Sequence, residues 1–90
     1  MSIGNAMTAA VSGLHNAALV YRTAAHNVVN VQSEGFKAQE VRDRVVETDR
    51  PADYALEAVT MISARMSYSA NAHVISSLDR MSGALLDITA

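Results

Sequence analysis

Charge is spread along this chain in three blocks, and this distribution limits how the chain can fold. Arg22 is the only Asp, Glu, Lys or Arg in residues 1–33, whereas residues 34–57 hold eleven of the sixteen and residues 58–90 hold four. A helix with one face in water normally carries charges along that face. Ends this poor in charge therefore predict segments that are buried on more than one side.

Residues 2–31 are predicted to form one long helix. Apolar and small residues recur at alternating spacings of four and three, a heptad pattern that is kept for about four heptads. Ser2 can cap the start of this helix, and Asn30 and Gly35 are candidate stop signals. The predicted seam comprises Ile3, Met7, Ala10, Leu14, Ala17, Tyr21, Ala24, Val28 and Val31.

Residues 51–88 are predicted to form a second long helix, capped by Thr48 or Asp49, with Pro51 in its first turn. Two adjacent apolar stripes run along it and make a face wider than one partner helix needs, so we expect a partner on each side. The first stripe comprises Met61, Ala64, Tyr68, Ala72, Ile75, Leu78 and Leu85. The second comprises Val59, Ile62, Met66, Ala70, Val74, Met81 and Ile88.

The predicted fold class is all-α, with two long helices packed as a coiled-coil-like antiparallel hairpin in a single domain, residues 1–90. A short charged linker, residues 32–50, joins the helices. Val41, Val45 and Val46 in this linker fit either a short strand or a helical turn, and the sequence does not choose between them.

Composition excludes several classes of function. The net charge of −2 argues against a nucleic-acid partner, and the absence of Cys excludes disulfides and thiolate chemistry. No run of ~20 apolar residues predicts a membrane span. The early segment also lacks the basic and leucine-rich regions of a cleaved signal peptide. We therefore expect a protein that stays inside the cell or leaves it by a route without such a signal.

Catalytic and metal-binding patterns are not found, and we expect no enzyme. Ser63, His73 and Asp79 supply the residue types of a triad, but their spacing on one predicted helix is too wide for a hydrogen-bonded relay. His15 and His26 would lie ~16 Å apart along the other helix, which is too far for a shared metal. Both histidines fit solvated or interface positions.

The acidic residues of the linker fit a solvated face. Glu40, Asp43 and Glu47 alternate with basic residues and neutralise them, which is typical of surface rather than of a calcium or catalytic site. The sequence thus predicts no catalytic residue, no cofactor and no bound metal.

Two motifs resemble the signature of bacterial flagellar rod and hook proteins. The first has Ser-Gly-Leu followed about twelve residues later by N-x-x-N-x-x-[ST]-x-G-[FY]-[KR], and here it comprises Ser12, Gly13, Leu14, Asn27, Asn30, Ser33, Gly35, Phe36 and Lys37. The second is similar to the family's closing motif M-I-x-A-x-R-x-Y-x-A-N, and here it runs from Met61-Ile62 to Tyr68, Ala70 and Asn71. The resemblance covers residues 2–37 and 54–88.

Three departures from the family pattern stand out. Met66 occupies the position two residues before Tyr68 where the family has Arg or Gln, and the arginine is shifted to Arg65. His26 replaces a more usual Ala or Asn. The middle segment is also much shorter than the β-rich insertions of relatives, so the chain resembles the inner helical core of the family alone.

The resemblance implies a structural subunit of the flagellar basal-body rod, or of the rod and hook axis. Such subunits leave the cell through the flagellar type III export apparatus without a cleaved signal peptide and assemble helically. The implied partners are other axial subunits, further copies of the same chain and the export apparatus. The implied location is the periplasmic part of the axis, without membrane insertion or nucleic acid.

The resemblance also suggests roles for individual residues. Asn27 and Asn30 should bond to backbone at the helix end or to a neighbour, or act as ordinary C-terminal caps. Gly35 should permit a turn with positive φ, and Phe36 should anchor the loop. The expected helix-packing and assembly residues are Ile3, Met7, Leu14, Tyr21, Val28, Met61, Ile62, Tyr68, Ile75, Leu78 and Leu85.

Two other readings remain open from the sequence. One is a helical adaptor or regulator that derives from the rod family and no longer polymerises, which the short middle segment and the shifted Arg65 favour. The other is an unrelated secreted helical hairpin, against which the two motifs argue.

Overall fold

A computed structural model of the chain describes residues 2–32, 37–42, 44–48 and 50–89, with the side chains of residues 88 and 89 left aside. The elements follow in the order α1 (Ile3–Val29), β1 (Gln39–Val41), β2 (Val45–Glu47) and α2 (Tyr54–Thr89). The two helices pack side by side over most of their length, and the molecule measures 63 × 20 × 14 Å. The predicted all-α helical hairpin is confirmed, with a minor two-stranded sheet.

The ends of α1 agree with the sequence prediction to within two residues. The Ser2 side chain accepts a hydrogen bond from the Asn5 backbone N–H at 3.1 Å, so Ser2 is the predicted cap. Asn30 ends the helix; its backbone N–H donates to the His26 carbonyl at 3.2 Å, and the Val31 N–H donates to the Val28 carbonyl at 3.3 Å. Gly35, the other candidate stop signal, lies outside the described residues.

The start of α2 was predicted three residues too early. The helix begins at Tyr54, and Pro51 precedes it rather than lying in its first turn. Asp53 is the cap, because its Oδ1 accepts from the Ala55 N–H at 2.9 Å. Thr48 instead donates its side-chain hydroxyl to the Ala38 carbonyl, and Asp49 lies outside the described residues.

The linker contains a short β-hairpin, which settles the alternative that the sequence left open. Gln39 pairs with Glu47, Glu40 with Val46 and Val41 with Val45 in antiparallel register. The pairing continues past the strands, since the Thr48 N–H donates to the Ala38 carbonyl. Val41, Val45 and Val46 therefore lie on strands and not on a helical turn.

The buried core consists of small side chains. The buried apolar residues are Ala10, Ala17, Ala24, Ala38 and Ala64. Three of them recur every seven residues along α1, so they belong to the predicted heptad seam. Methyl groups at these positions let the two helix backbones approach closely, as small residues do at other tight helix contacts.

Gly13 marks a second point of close approach. A Cβ added at Gly13 would lie 2.5 Å from Oδ1 of Asn71 on α2. The Asn71 side-chain amide also donates to the Ser67 carbonyl at 2.8 Å, which holds the carboxamide against the glycine. By contrast, a Cβ added at Gly83 would meet nothing within 4 Å.

These contacts define the register of the helix pair. Asn27 bonds to Glu57 and Gly13 faces Asn71, so the two contacts lie fourteen residues apart on each helix. The same register, continued ten residues further, places Ile3 at the axial level of Met81. Residues 82–89 of α2 therefore extend past the level at which α1 begins, by ~12 Å at the helical rise.

We predict opposite effects for two glycine substitutions. Gly83→Ala should stabilise the chain by about 0.5–1 kcal/mol through helix propensity. Gly13→Ala should lose that gain and be less stable than Gly83→Ala by at least about 1 kcal/mol, because the new methyl group displaces the Asn71 carboxamide. Chemical denaturation of each variant measures both differences.

Adding Asn71→Ala to Gly13→Ala should then recover part of the loss, because the double variant has room for the methyl group. If Gly13→Ala proves as stabilising as Gly83→Ala, the close contact at Gly13 is wrong.

Candidate functional site

A fully buried polar pair lies where the β-hairpin formed by β1 and β2 meets the two helices. Asn27 and Glu57 have exposures of 0% and 1%. The Asn27 side-chain amide donates to Oε2 of Glu57 at 3.1 Å and to the Gln39 carbonyl at 2.9 Å. Its oxygen accepts from the Gln39 backbone N–H at 2.9 Å. One amide thus joins α1, α2 and the edge of β1.

Arg50 completes this polar cluster from the segment between β2 and α2. Its guanidinium donates to Oε1 of Glu57 at 3.0 Å and to Oε1 of Glu40 at 2.9 Å. Both oxygens of the buried carboxylate are therefore paired. Every buried side-chain nitrogen and oxygen in the described part of the chain has a hydrogen-bond partner, as a stable interior requires.

The two ends of the Arg50 bridge differ in exposure. The Glu40 side chain is 38% exposed and also lies 3.7 Å from Arg42, whereas the Glu57 side chain is 2% exposed. The hydrogen bond from Arg50 holds the pKa of Glu40 below its ordinary value of 4.5. The same bond, together with the one to Glu57, raises the pKa of Arg50.

The second predicted stripe of α2 lies on the surface of the chain as far as its side chains are described; that of Ile88 lies outside the described part. We call Val59, Ile62, Met66, Ala70, Val74 and Met81 the outer stripe. Its five large side chains are between 43% and 67% exposed. They lie on a helix that also packs against α1. Large apolar patches on a small protein mark sites of protein contact.

A groove opens between the helices at mid-length. We call it the tyrosine groove; its volume is about 360 Å³, and it is lined by Ala17, Ala18, Tyr21, Arg22, Ala64, Arg65, Tyr68 and Ser69. A smaller depression lined by Tyr21, Ala58, Met61, Ile62 and Arg65 adjoins it. Since Ile62 belongs to the outer stripe, the groove and the stripe form one continuous surface.

The structure divides the predicted packing residues into two groups. Seven are half-buried: Ile3, Met7, Leu14, Val28, Met61, Ile75 and Leu78. Four are at least 40% exposed: Tyr21, Ile62, Tyr68 and Leu85. The exposed group includes the two groove tyrosines and one residue of the outer stripe. Their assignment to contacts between subunits stays a prediction.

The motif residues have distinct structural roles. Asn27 binds the Gln39 backbone and a neighbouring helix, and the Asn30 side chain donates to the His26 carbonyl at 2.9 Å, so both expectations of backbone bonding are confirmed. Gly13 and Asn71, one from each motif, face each other. Ser12, Lys37 and Ala70 are exposed. Ser33, Gly35 and Phe36 lie outside the described residues.

The sequence interpretation did not identify the polar cluster. The sequence analysis places Glu40 on a solvated acidic face of the linker and treats Arg50 and Glu57 only as part of the charged centre, whereas Glu40 is half-buried and accepts from Arg50. One signal was available: Glu57 precedes Met61 by four residues and Ala64 by seven, so a charged residue continues the first apolar stripe. A charge within such a stripe indicates a buried partner.

The residues that the sequence analysis considered for a catalytic triad do not form a catalytic site in the structure. Ser63, His73 and Asp79 all lie on α2, where the spacing keeps them apart. Within the ranges that the structure describes, no three His, Asp or Glu side chains are grouped to hold a metal ion. In the same ranges, no helix is long and apolar enough to cross a membrane.

Comparison with known proteins gives no relatives. No protein-family model, no curated protein and no solved structure matches this chain.

Removal of the buried carboxylate should strongly destabilise the chain. We predict that Glu57→Ala lowers the free energy of unfolding by about 2–4 kcal/mol, because it removes one of the acceptors of the buried Asn27 amide and leaves part of the Arg50 guanidinium without a partner. Glu47→Ala is the control, since Glu47 is exposed on β2, and it should change stability by less than about 0.5 kcal/mol. Equal effects of the two variants in denaturant titrations would contradict this account.

Stability should also fall in acid through Glu40. Because the pKa of Glu40 is lowered in the folded state, its contribution is fully present above the ordinary value of 4.5 and is lost as pH falls through the lower folded value. Glu40→Gln should remove this part of the pH dependence while leaving the rest. Thermal melts of both proteins between neutral pH and strong acid measure the difference, and parallel curves would refute it.

Proposed function

We propose that this chain is a structural subunit of the bacterial flagellar basal-body rod, or of the rod and hook axis. It leaves the cell through the flagellar type III export apparatus and assembles by helix packing between subunits. Its partners are other axial subunits and further copies of itself, and its location is the periplasmic part of the axis. It has no catalytic role in this proposal.

The outer stripe is the observation that carries the proposal. Five large apolar side chains line an exposed face of α2, while the core of the single chain contains buried alanines as its only apolar residues among those described. A chain that leaves large apolar side chains exposed along one helix face can remove further apolar surface from water when that face is covered by another subunit. A subunit of a helical assembly has this distribution.

The two motifs supply the second line of support. Their resemblance to the rod and hook signature is carried by the residues themselves, and the fold gives several of them a physical reason. Asn27 joins three elements through one amide. Gly13 and Asn71 make the close approach between helices. Residues from both ends of the chain thus serve the same helix pair.

The uncharged character of the helix surfaces fits packing on several sides. The charges of α1 and of the first half of α2 are few, and most acidic and basic residues lie in or next to the hairpin. In an assembly in which such helix pairs lie side by side, helices with few charges can contact neighbouring subunits without burying unpaired ions. The desolvation of each unpaired ion would cost several kcal/mol.

The test is an immunoblot for this protein in hook–basal bodies purified from the bacterium that encodes it, beside the soluble fraction. We expect co-purification with the rod. Absence from the basal bodies together with a clear soluble cytoplasmic pool would refute the subunit and favour the non-polymerising adaptor.

Substitutions in the outer stripe sharpen this test. Ile62→Gln with Met66→Gln should leave the helical fold intact, since both side chains are exposed, and should lower incorporation into basal bodies by about tenfold or more. Ser76→Gln, at an exposed position of α2 outside the stripe, is the matched control and should incorporate normally. Circular dichroism confirms the fold of each variant, and normal incorporation of the double variant would exclude the stripe as a contact.

A further inference from the structure

The tyrosine groove, at mid-length of the helix pair, is lined by one arginine from each helix, Arg22 and Arg65. Arg22 is the only charged residue in the first 33 positions, and Arg65 is the only one between residues 58 and 78. Both line the same groove, and neither makes an ion pair within the described residues. Two positive charges therefore flank the exposed rings of Tyr21 and Tyr68.

The C-terminal end of α2 carries a negative charge, opposite to the positive charges of the groove. Residues 82–89, which we call the overhang, extend past the level at which α1 begins. Leu85 and Leu86 are 51% and 68% exposed, and Asp87 is exposed and is the only charged residue of this segment.

The tyrosine groove and the overhang are complementary in their apolar groups and in their charges. The groove offers apolar ring faces beside two guanidinium groups, and the overhang offers two leucines beside one carboxylate. Arginine binds carboxylates with paired hydrogen bonds and lies flat on aromatic rings, which suits a site of this composition. The charges of Asp79 and Arg80, just before the overhang, balance each other.

The overhang cannot reach the groove of its own chain. Tyr68 and Leu85 are seventeen residues apart on one continuous helix, which is a distance of ~25 Å along its axis. One molecule therefore cannot place its own overhang in its own groove.

We propose that the overhang of one copy docks in the tyrosine groove of a second copy, with Leu85 and Leu86 against Tyr21 and Tyr68 and with Asp87 between Arg22 and Arg65. The contact joins two different surfaces, so a copy bound through its groove still presents its overhang to a third copy, and a copy bound through its overhang still presents its groove. Contacts of this type extend into chains or helical filaments unless the rotation closes a ring. The inference deepens the proposed function, on which its biological role rests, because it names the surfaces through which like subunits join.

Sedimentation of the full chain over a range of concentrations tests the contact. The wild type should form assemblies that grow with concentration and shrink in high salt, because the carboxylate–guanidinium part of the contact is screened. A groove variant, Arg22→Glu with Arg65→Glu, and an overhang variant, Asp87→Arg, should each associate at least about tenfold more weakly. Matched controls are Lys37→Glu with Arg44→Glu, and Glu47→Arg, which change net charge equally at exposed hairpin positions and should assemble as the wild type does.

A mixture of the two variants provides the decisive result. The groove variant carries an acidic groove with an acidic overhang, and the overhang variant carries a basic groove with a basic overhang, so neither should assemble alone. When they are mixed, each overhang meets a groove of opposite charge, and the two variants should assemble in alternation. A chain that carries all three reversals should regain extended assembly. Monomeric wild type at every concentration, unaffected single variants, or a mixture that does not assemble would each overturn the proposal.

These outcomes are independent of the rod test. Wild-type protein in basal bodies with normal assembly of the groove variant would refute this contact and leave the proposed function in place. Assembly of the mixed variants with no protein in basal bodies would establish the contact and refute the proposed function.

Discussion

The bond between Asn27 and the buried carboxylate of Glu57 determines how the two helices line up, and the other surfaces of the molecule depend on that alignment. The alanine seam alone does not define a register, because Ala10, Ala17 and Ala24 repeat every seven residues and a slip of one heptad would again place alanine in the contact. A buried polar group has one satisfactory partner, and loss of that partner is costly. Polar pairs in helix contacts specify register in this way.

The same carboxylate also holds the hairpin. Arg50 connects Glu57 to Glu40 on β1, and Asn27 binds both backbone groups of Gln39. Two-stranded hairpins are marginally stable by themselves, so the hairpin depends on this attachment to the helices. Register and hairpin position are therefore coupled: a slip of the helices would separate Asn27 from Glu57 and release β1. The length of the overhang and the place of the tyrosine groove follow from the same register.

The sequence predicted the features that repeat and missed those that depend on a single long-range pairing. Heptad spacing is a local property, so both helices, their antiparallel packing and the alanine seam could be predicted. The strands could not be, because three residues each are too few for a periodic signal and their valines fit two structures. The start of α2 was misplaced since Thr48, Asp49 and Asp53 are all competent caps, and the hairpin uses Thr48 for its own pairing. The Asn27–Glu57 pair joins residues thirty positions apart, and only the fold brings them together.

A core made of alanine methyl groups has a thermodynamic consequence. The heat capacity increase on unfolding scales with the apolar surface that becomes exposed, and five buried alanines shield little of it. The curvature of the stability curve is therefore small, and the isolated chain has a shallow stability maximum rather than a steep one. Binding to any partner raises the stability of the folded state by mass action. In the proposed assembly, the melting temperature of this chain would therefore rise with its concentration.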